Sequence, residues 1–228
     1  MMLQEFAPSL YIADGPVVSF FGFPYPTRMA LVRLENGDLW VWSPVALSEE
    51  LIDEVQALGP VRHIVSPNKI HYLFLTQWAE QWPEARVYAP PGLARRLPEL
   101  KFDAELGDSV DPAWEGVIDQ VIFHGSIMME EVVFFHRPSR TALFCDLIQR
   151  HPESNMTGIK GMIMKLWGLV GNRGSTPREW RFSFLNRRSA RAAREKVSEW
   201  DAERLLIAHG NCEQENAAEI IRNALSWM

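Results

Sequence analysis

Residues Val61 to Gly92 read VRHIVSPNKIHYLFLTQWAEQWPEARVYAPPG. The β-branched run Val61 to Val65 stops at a Ser-Pro-Asn turn, and His71 then opens an amphipathic segment with apolar residues at 72 to 75, 78, 79 and 82. The succession is strand, turn, helix. Pro83 ends the helix, because the residue before a proline is pushed out of the helical region, and Ala85 to Ala89 (ARVYA) forms a second short strand ahead of a Pro-Pro-Gly turn. A polar loop at the carboxyl end of a strand, leading into a helix, is where α/β folds place chemistry.

On the N-terminal side, Leu10 to Ala13, Val17 to Phe23, Met29 to Leu34 and Leu39 to Trp42 are β-rich runs separated by turns. Asn36-Gly37 between the last two is a hairpin signal, since both residues tolerate positive φ. Ser48 is placed to cap a helix with Glu49 and Glu50 at its positive end and apolar residues at 51, 52, 55 and 58; Leu51 at the third helical position excludes a full capping box. On the C-terminal side, Gly92 to Arg96 is a short helix and 97 to 116 mostly loop. Val117 to Phe123, Val132 to His136 and Thr141 to Cys145 form a second β-meander.

From Arg150 to Arg181, Gly158, Gly161, Gly168, Gly171 and Gly174 punctuate an apolar segment, read as a loosely helical excursion against the body or as a lid or partner surface. Ser189 to Trp200 is a helix with Ala190, Ala193, Val197 and Trp200 on one face. Arg191 and Arg194 lie on the adjoining face, joined by Arg187 if the helix starts early; they form a solvated face or an anion contact. Arg204 to Ala208 is a short buried strand ending in His209-Gly210-Asn211, and Glu213 to Trp227 is an amphipathic closing helix.

Composition bounds the function. The 228 residues, 47% hydrophobic with nine Trp and twelve Phe, suit one large domain spanning 1-228. A net charge of -6 argues against a broad nucleic-acid footprint. MMLQEFAPSL carries neither the basic nor the apolar region of a secretory signal, and no apolar run approaches the roughly 20 residues that span a bilayer. The expectation is a cytoplasmic protein with no membrane partner, a small-molecule substrate or ligand, and reduced thiols at Cys145 and Cys212. Oligomeric state is not legible.

Of six histidines, two stand just past predicted strand ends in the second half: His124 after VIF and His209 after RLLIA. Asp146 ends TALFC in the same way, and His71 follows the first strand and turn. Strand ends can bring distant residues to one rim, and His with carboxylate suits zinc, iron or manganese. A protein without metal, its strand-end histidines hydrogen-bonded structurally, is the alternative. His63, His136 and His151 are assigned no role. Cys212 is a soft ligand or a buried thiol, and Cys145 is expected to point away from Asp146 if its strand continues. No serine nucleophile elbow, Walker loop or Rossmann glycine pattern is present.

This order of elements and ligands resembles the metallo-β-lactamase superfamily over nearly the whole chain. The resemblance implies an α/β fold, a four-layer αββα sandwich. The superfamily's His-x-His-x-Asp-His motif aligns with Ser66-Pro67-Asn68-Lys69-Ile70-His71, so only the last histidine remains. His124-Gly125-Ser126, Phe144-Cys145-Asp146 and Ala208-His209-Gly210 match its later elements. NKIHYLFL, Trp78 and PEARVYAPPG look like a divergent branch.

By that likeness His71, Asp146 and His209 hold one ion, with His124 a fourth ligand if the site contracts. Ser66 and Asn68 are at most weak additions, so a dinuclear site is not expected. Ile70 stands where an aspartate would orient water. Nothing in the chain offers a substitute base: Glu130 and Glu131 sit in the second meander, at unknown distance from His124. The implied function is a mononuclear hydrolase acting on a small molecule, or a non-catalytic binding or scaffold protein of the same fold.

Overall fold

A glycine that adopts positive φ lets two strands meet through a tight turn, and Gly37 does so at φ 88. In the computed structural model, which describes residues 2–20, 22–152, 158–171 and 174–228, the chain begins β1 (Gln4–Ala7), β2 (Leu10–Asp14), β3 (Val18–Phe20), β4 (Phe23–Tyr25), β5 (Arg28–Arg33) and β6 (Leu39–Trp42). It continues α1 (Glu49–Leu58), β7 (Val61–Val65), α2 (Leu75–Gln81), β8 (Arg86–Ala89), α3 (Leu93–Arg96) and β9 (Ala104–Glu105). One sheet runs β1-β2-β5-β6-β7-β8-β9, antiparallel as far as β6 and parallel from there. Parallel neighbours need crossovers, which α1, α2 and α3 provide. Ser48 caps α1 by accepting the Leu51 N–H at 3.3 Å.

The second sheet contains β10 (Ile118–Phe123), β11 (Glu131–His136), β12 (Thr141–Phe144) and β13 (Arg204–Ile207), in that order. β10, β11 and β12 are antiparallel; β13 lies parallel to β12 after a crossover through α4 (Gly158–Leu166), α5 (Arg178–Ser183) and α6 (Arg187–Glu199). α7 (Ala217–Ala224) follows β13.

Alternation along the strands assigns the layers. Ala30, Val32, Trp40 and Trp42 of the first sheet meet Val132, Phe134, Leu143 and Leu206 of the second in a shared central core. The intervening Met29, Leu31, Leu39 and Val41 pack outward with Leu51, Val55, Leu75 and Trp78 of α1 and α2. On the far side, Val133, Phe135, Ala142, Phe144, Leu205 and Ile207 pack with α5, α6 and α7. The result is the expected αββα sandwich.

Local differences have local causes. Val17 to Phe23 is not one strand: Gly22, at φ 77, folds it into the separate β3–β4 hairpin. His71 does not open a helix. Residues 66 to 74 form turns, with the His71 N–H on the Asn68 carbonyl at 3.2 Å and the Leu75 N–H on the Tyr72 carbonyl at 3.1 Å. α6 begins at Arg187 because the Asn186 side chain caps it, accepting the Ser189 N–H. β1 and β9 are additional edge strands. Residues 153–157 and 172–173 of the expected excursion lie outside the described residues; the remainder holds α4 and α5. Among the described residues no helix is long and apolar enough to cross a membrane.

Candidate metal centre

The carboxyl ends of β7, β12 and β13 deliver three side chains to one point. His71 Nε2 is 3.0 Å from His209 Nε2; Asp146 Oδ2 is 3.3 Å from the first and Oδ1 3.3 Å from the second. Cys145 joins them, and one ligand atom from each of the four lies within 4.8 Å of the others. Nitrogen and oxygen donors at zinc-type bond lengths occupy tetrahedron corners about 3.3 Å apart, so the 3.0 to 3.3 Å spacings of His71, His209 and Asp146 fit a single ion, while the 4.8 Å span of the group with Cys145 is wider than those corners.

The surroundings aim these atoms. His209 donates from Nδ1 to the Pro26 carbonyl at 2.7 Å, which turns Nε2 toward the centre. His71 Nδ1 shares a hydrogen bond with Ser43 Oγ at 3.0 Å. Ser43 follows β6 in the left-handed region, at φ 52, a conformation that side chains other than glycine adopt rarely. The Tyr25 ring stands edge-on to His209, with centroids 5.1 Å apart, and walls the centre from the β3–β4 hairpin. Burial, then Asp146, raises the Tyr25 hydroxyl above its ordinary range.

Glu131 organises the opposite side. Its wholly buried carboxylate accepts the backbone N–H groups of Cys145 at 2.9 Å, Asp146 at 2.8 Å and Leu147 at 3.1 Å, so the chain after β12 curls around it. This corrects the expectation for Cys145. Strand alternation stops at Phe144, and the curl brings the Cys145 sulfur and the Asp146 carboxylate into one group. Burial and the Asp146 charge push Glu131 up to about 8. Burial also works against ionisation of Asp146, but the charges and hydrogen bonds of His71 and His209 hold it well below the usual carboxylate range. Burial, then the neighbouring carboxylates, raises the Cys145 thiol.

The other sequence candidates are placed differently. His124 is not in the group: its Nδ1 pairs with Glu130 at 2.9 Å and its Nε2 with Asp108 at 3.3 Å, and the side chain is 39% exposed. Ser66 Oγ faces the carbonyls of Asn68 and His71, at 2.9 and 2.7 Å. Asn68 uses its oxygen on the Ile70 N–H at 3.0 Å and turns its amide nitrogen to Asp146 at 2.8 Å and Glu131 at 3.2 Å. Neither presents the weak oxygen ligand considered from sequence. Cys212 stands with Arg28, whose Nη1 is 3.0 Å from its sulfur. His151 lies beside the centre, stacked edge-on to Tyr25 at 5.7 Å and hydrogen-bonded to Gln149 at 3.2 Å.

Sequence reasoning missed Ser43 and Cys145 and left Glu131 without a position. A usable signal for Glu131 was its place at the head of the apolar run VVFF, where a carboxylate is drawn inward with the strand.

A family model described as "Domain of unknown function (DUF4336)" matches residues 18–160. A comparison with curated proteins returned no match. Among solved structures, the metallo-β-lactamase from Pontibacter korlensis is similar at 13% identity and TM-score 0.65, covering 99% of this chain and 97% of that one. The FIM-1 metallo-β-lactamase from Pseudomonas aeruginosa, in its mono-zinc form, is similar at 10% identity and TM-score 0.64, over 99% and 94%. A metallo-β-lactamase from Hirschia baltica is similar at 14% identity and TM-score 0.64, over 99% and 96%. At these identities the likeness concerns architecture: the chain has the metallo-β-lactamase fold.

Proposed function

The chain belongs to the DUF4336 family, and we propose that it is a divergent metallo-β-lactamase-fold protein that holds one divalent ion at His71, Asp146 and His209 and hydrolyses a small molecule. The observation that carries this reading is the spacing of the two Nε2 atoms and the Asp146 carboxylate at 3.0 to 3.3 Å, with His209 oriented by Pro26. Nitrogen and carboxylate ligands with a sulfur alongside favour zinc over manganese. Such an ion supplies Lewis-acid polarisation of a carbonyl or phosphoryl oxygen. The chain's own residues hold it: Ser43 and Pro26 set the imidazoles, while Glu131 and Asn68 set Asp146. With Ser66 and Asn68 committed to their turn, a second ion has no ligand set in that loop.

Cys145 favours a second reading. As a fourth protein ligand it would complete a tetrahedron, and structural zinc sites are closed in that way while catalytic ones keep a position open. Burial supports this version: the side chains of His71, Asp146 and His209 are 12%, 8% and 5% exposed. The protein is then a non-catalytic binding or scaffold protein of the same fold.

Elemental analysis of protein purified without added metal tests both. The expected content is about one ion per chain, falling below ~0.2 in His71→Ala, with zinc raising the melting temperature of the native protein only. Native protein below ~0.2 and unmoved by zinc, iron or manganese removes the metal reading. Cobalt-substituted protein separates the two versions. A sulfur-to-cobalt charge-transfer band that disappears in Cys145→Ser identifies the closed site; without that band, turnover of an ester, lactone, thioester or phosphodiester identifies the hydrolase.

A further inference from the structure

Next to the centre, two loops meet and then part. Asn68, which holds Asp146 at 2.8 Å, pairs with Glu131 across a β-bridge. Lys69 follows the first residue and Glu130 precedes the second, and between the diverging chains lies a groove of about 440 Å³. Lys69, Arg95 and Arg96 form one wall; Ile127, Met128 and Glu130 line the other.

The apolar wall is held out by design of the loop rather than by fraying. Ile127 is 73% and Met128 49% exposed. Yet the Ile127 N–H is bound to the Ser183 carbonyl at 3.0 Å, and Ser126 Oγ accepts the N–H groups of Met128 and Met129 at 3.1 Å each. Trp180 donates its indole N–H to the same oxygen at 3.1 Å.

The opposite wall is cationic and uncompensated. Among the described residues Lys69, Arg95 and Arg96 take part in no ion pair. Glu130, the carboxylate of the groove, is engaged by His124 at 2.9 Å. Arg96 lies over the Tyr72 ring at 5.1 Å, which leaves Lys69 and Arg95 as the freer pair. The Lys69 stem runs past the head of α3, where a Cβ added to Gly92 would stand 4.0 Å from its Cδ. An open positive wall on a chain of net charge -6 marks a local preference for anions.

We propose that this groove binds an amphipathic phosphate monoester, its phosphate on Lys69 and Arg95 and its hydrocarbon along Ile127 and Met128. Two cations match a phosphate dianion, and the guanidinium fork suits its oxygens; a monocarboxylate would leave one cation unpaired. Lys69 and Glu130 of the groove are the chain neighbours of Asn68 and Glu131, which position Asp146, so this ligand is the substrate, or the recognition end of it. That last step rests on the hydrolase reading, while the ligand class rests on the two walls alone.

Calorimetric titration of the full-length protein with octyl phosphate, octanoate, octanol and inorganic phosphate tests the proposal. Octyl phosphate is expected to bind ~10-fold tighter than any of the other three. The double variant Lys69→Gln, Arg95→Gln should lose ~10-fold or more of that affinity, and Ile127→Ser with Met128→Ser about 3-fold to 10-fold, with metal content and melting temperature unchanged. Octyl phosphate bound equally by the Lys69/Arg95 variant, or no tighter than octanoate, overturns the proposal. So does binding that disappears with the metal in folded His71→Ala, which would put the phosphate at the centre. Capture by phosphatidate vesicles without binding of soluble octyl phosphate also overturns it, in favour of a membrane surface. Native protein that purifies without metal yet binds octyl phosphate in the groove upholds the ligand class while removing the hydrolase reading.

Discussion

His209 and His124 each follow a strand of the second sheet, yet they come to rest in opposite environments. His209 is 5% exposed, locked by Pro26 and facing His71 and Asp146; His124 is 39% exposed and held between Glu130 and Asp108. Strand order explains the difference. β13, at one edge, is the immediate neighbour of β12, so its end adjoins Asp146, whereas β10, at the other edge, is two places from β12 and about 10 Å away at ordinary strand spacing. A strand end puts a residue on the rim; the neighbour it has there decides what it can bind.

The same contrast separates Glu131 from Glu130. Replacing Glu131 by alanine leaves the N–H groups of Cys145, Asp146 and Leu147 buried without their acceptor. At roughly 1–3 kcal/mol for each, the expected loss is at least ~3 kcal/mol. Thermal unfolding should register a fall of about 10 °C or a failure to fold, while Glu130→Ala changes little. Equal effects from the two would mean that the curl after β12 does not depend on the buried carboxylate.

A second test compares His136 with His124. Burial pushes His136 down to about 4, whereas for His124 burial works the same way but is outweighed by Glu130 and Asp108, which raise it. The folded state thus takes up fewer protons at His136 than the unfolded chain does. The stability present above pH ~6.5 should be lost as the pH falls toward ~4, by about 3 kcal/mol in all. Denaturant titrations across that window should show the slope, and His136→Phe should reduce it without abolishing it, because burial also pushes His151 down to about 4 and lowers His63. A slope unchanged by the substitution assigns none of the acid lability to His136.

The smallest effect is expected from His124→Ala. Its partners are solvent-screened, so stability should move by no more than ~1 kcal/mol, with metal content unchanged. Loss of metal in this variant, as expected for His71→Ala, would show that the edge strand closes on the centre when an ion binds.

The two β-meanders were legible as apolar runs set off by turns, while the sandwich that pairs them came from the resemblance to the metallo-β-lactamase superfamily; in the structure Leu39-Trp40-Val41-Trp42 and Val132-Val133-Phe134-Phe135 divide between inner and outer cores as a period of two requires. His71, Asp146 and His209 could be placed for the same reason, since they follow well-marked strands. Cys145 could not, because its direction depends on a curl around Glu131, a contact with a residue 14 positions away. Ser43 was hidden as well: its approach to His71 needs the parallel pairing of β6 with β7 and a left-handed backbone, neither of which local pattern announces. The helix expected from His71 onward misread apolar residues that pack from turns.

The loop Ser66 to His71 lacks two histidines and an aspartate by comparison with the superfamily motif, but its polar groups have other employment. The Ser66 hydroxyl ties the turn to itself, and the Asn68 amide spans the carboxylates of Glu131 and Asp146. Both residues are fully buried. Restoring a histidine at either one would remove a hydrogen bond on which the remaining site depends and force a larger ring into filled space. A single substitution that adds a ligand atom at either position therefore loosens the Asp146 arrangement it would have to join.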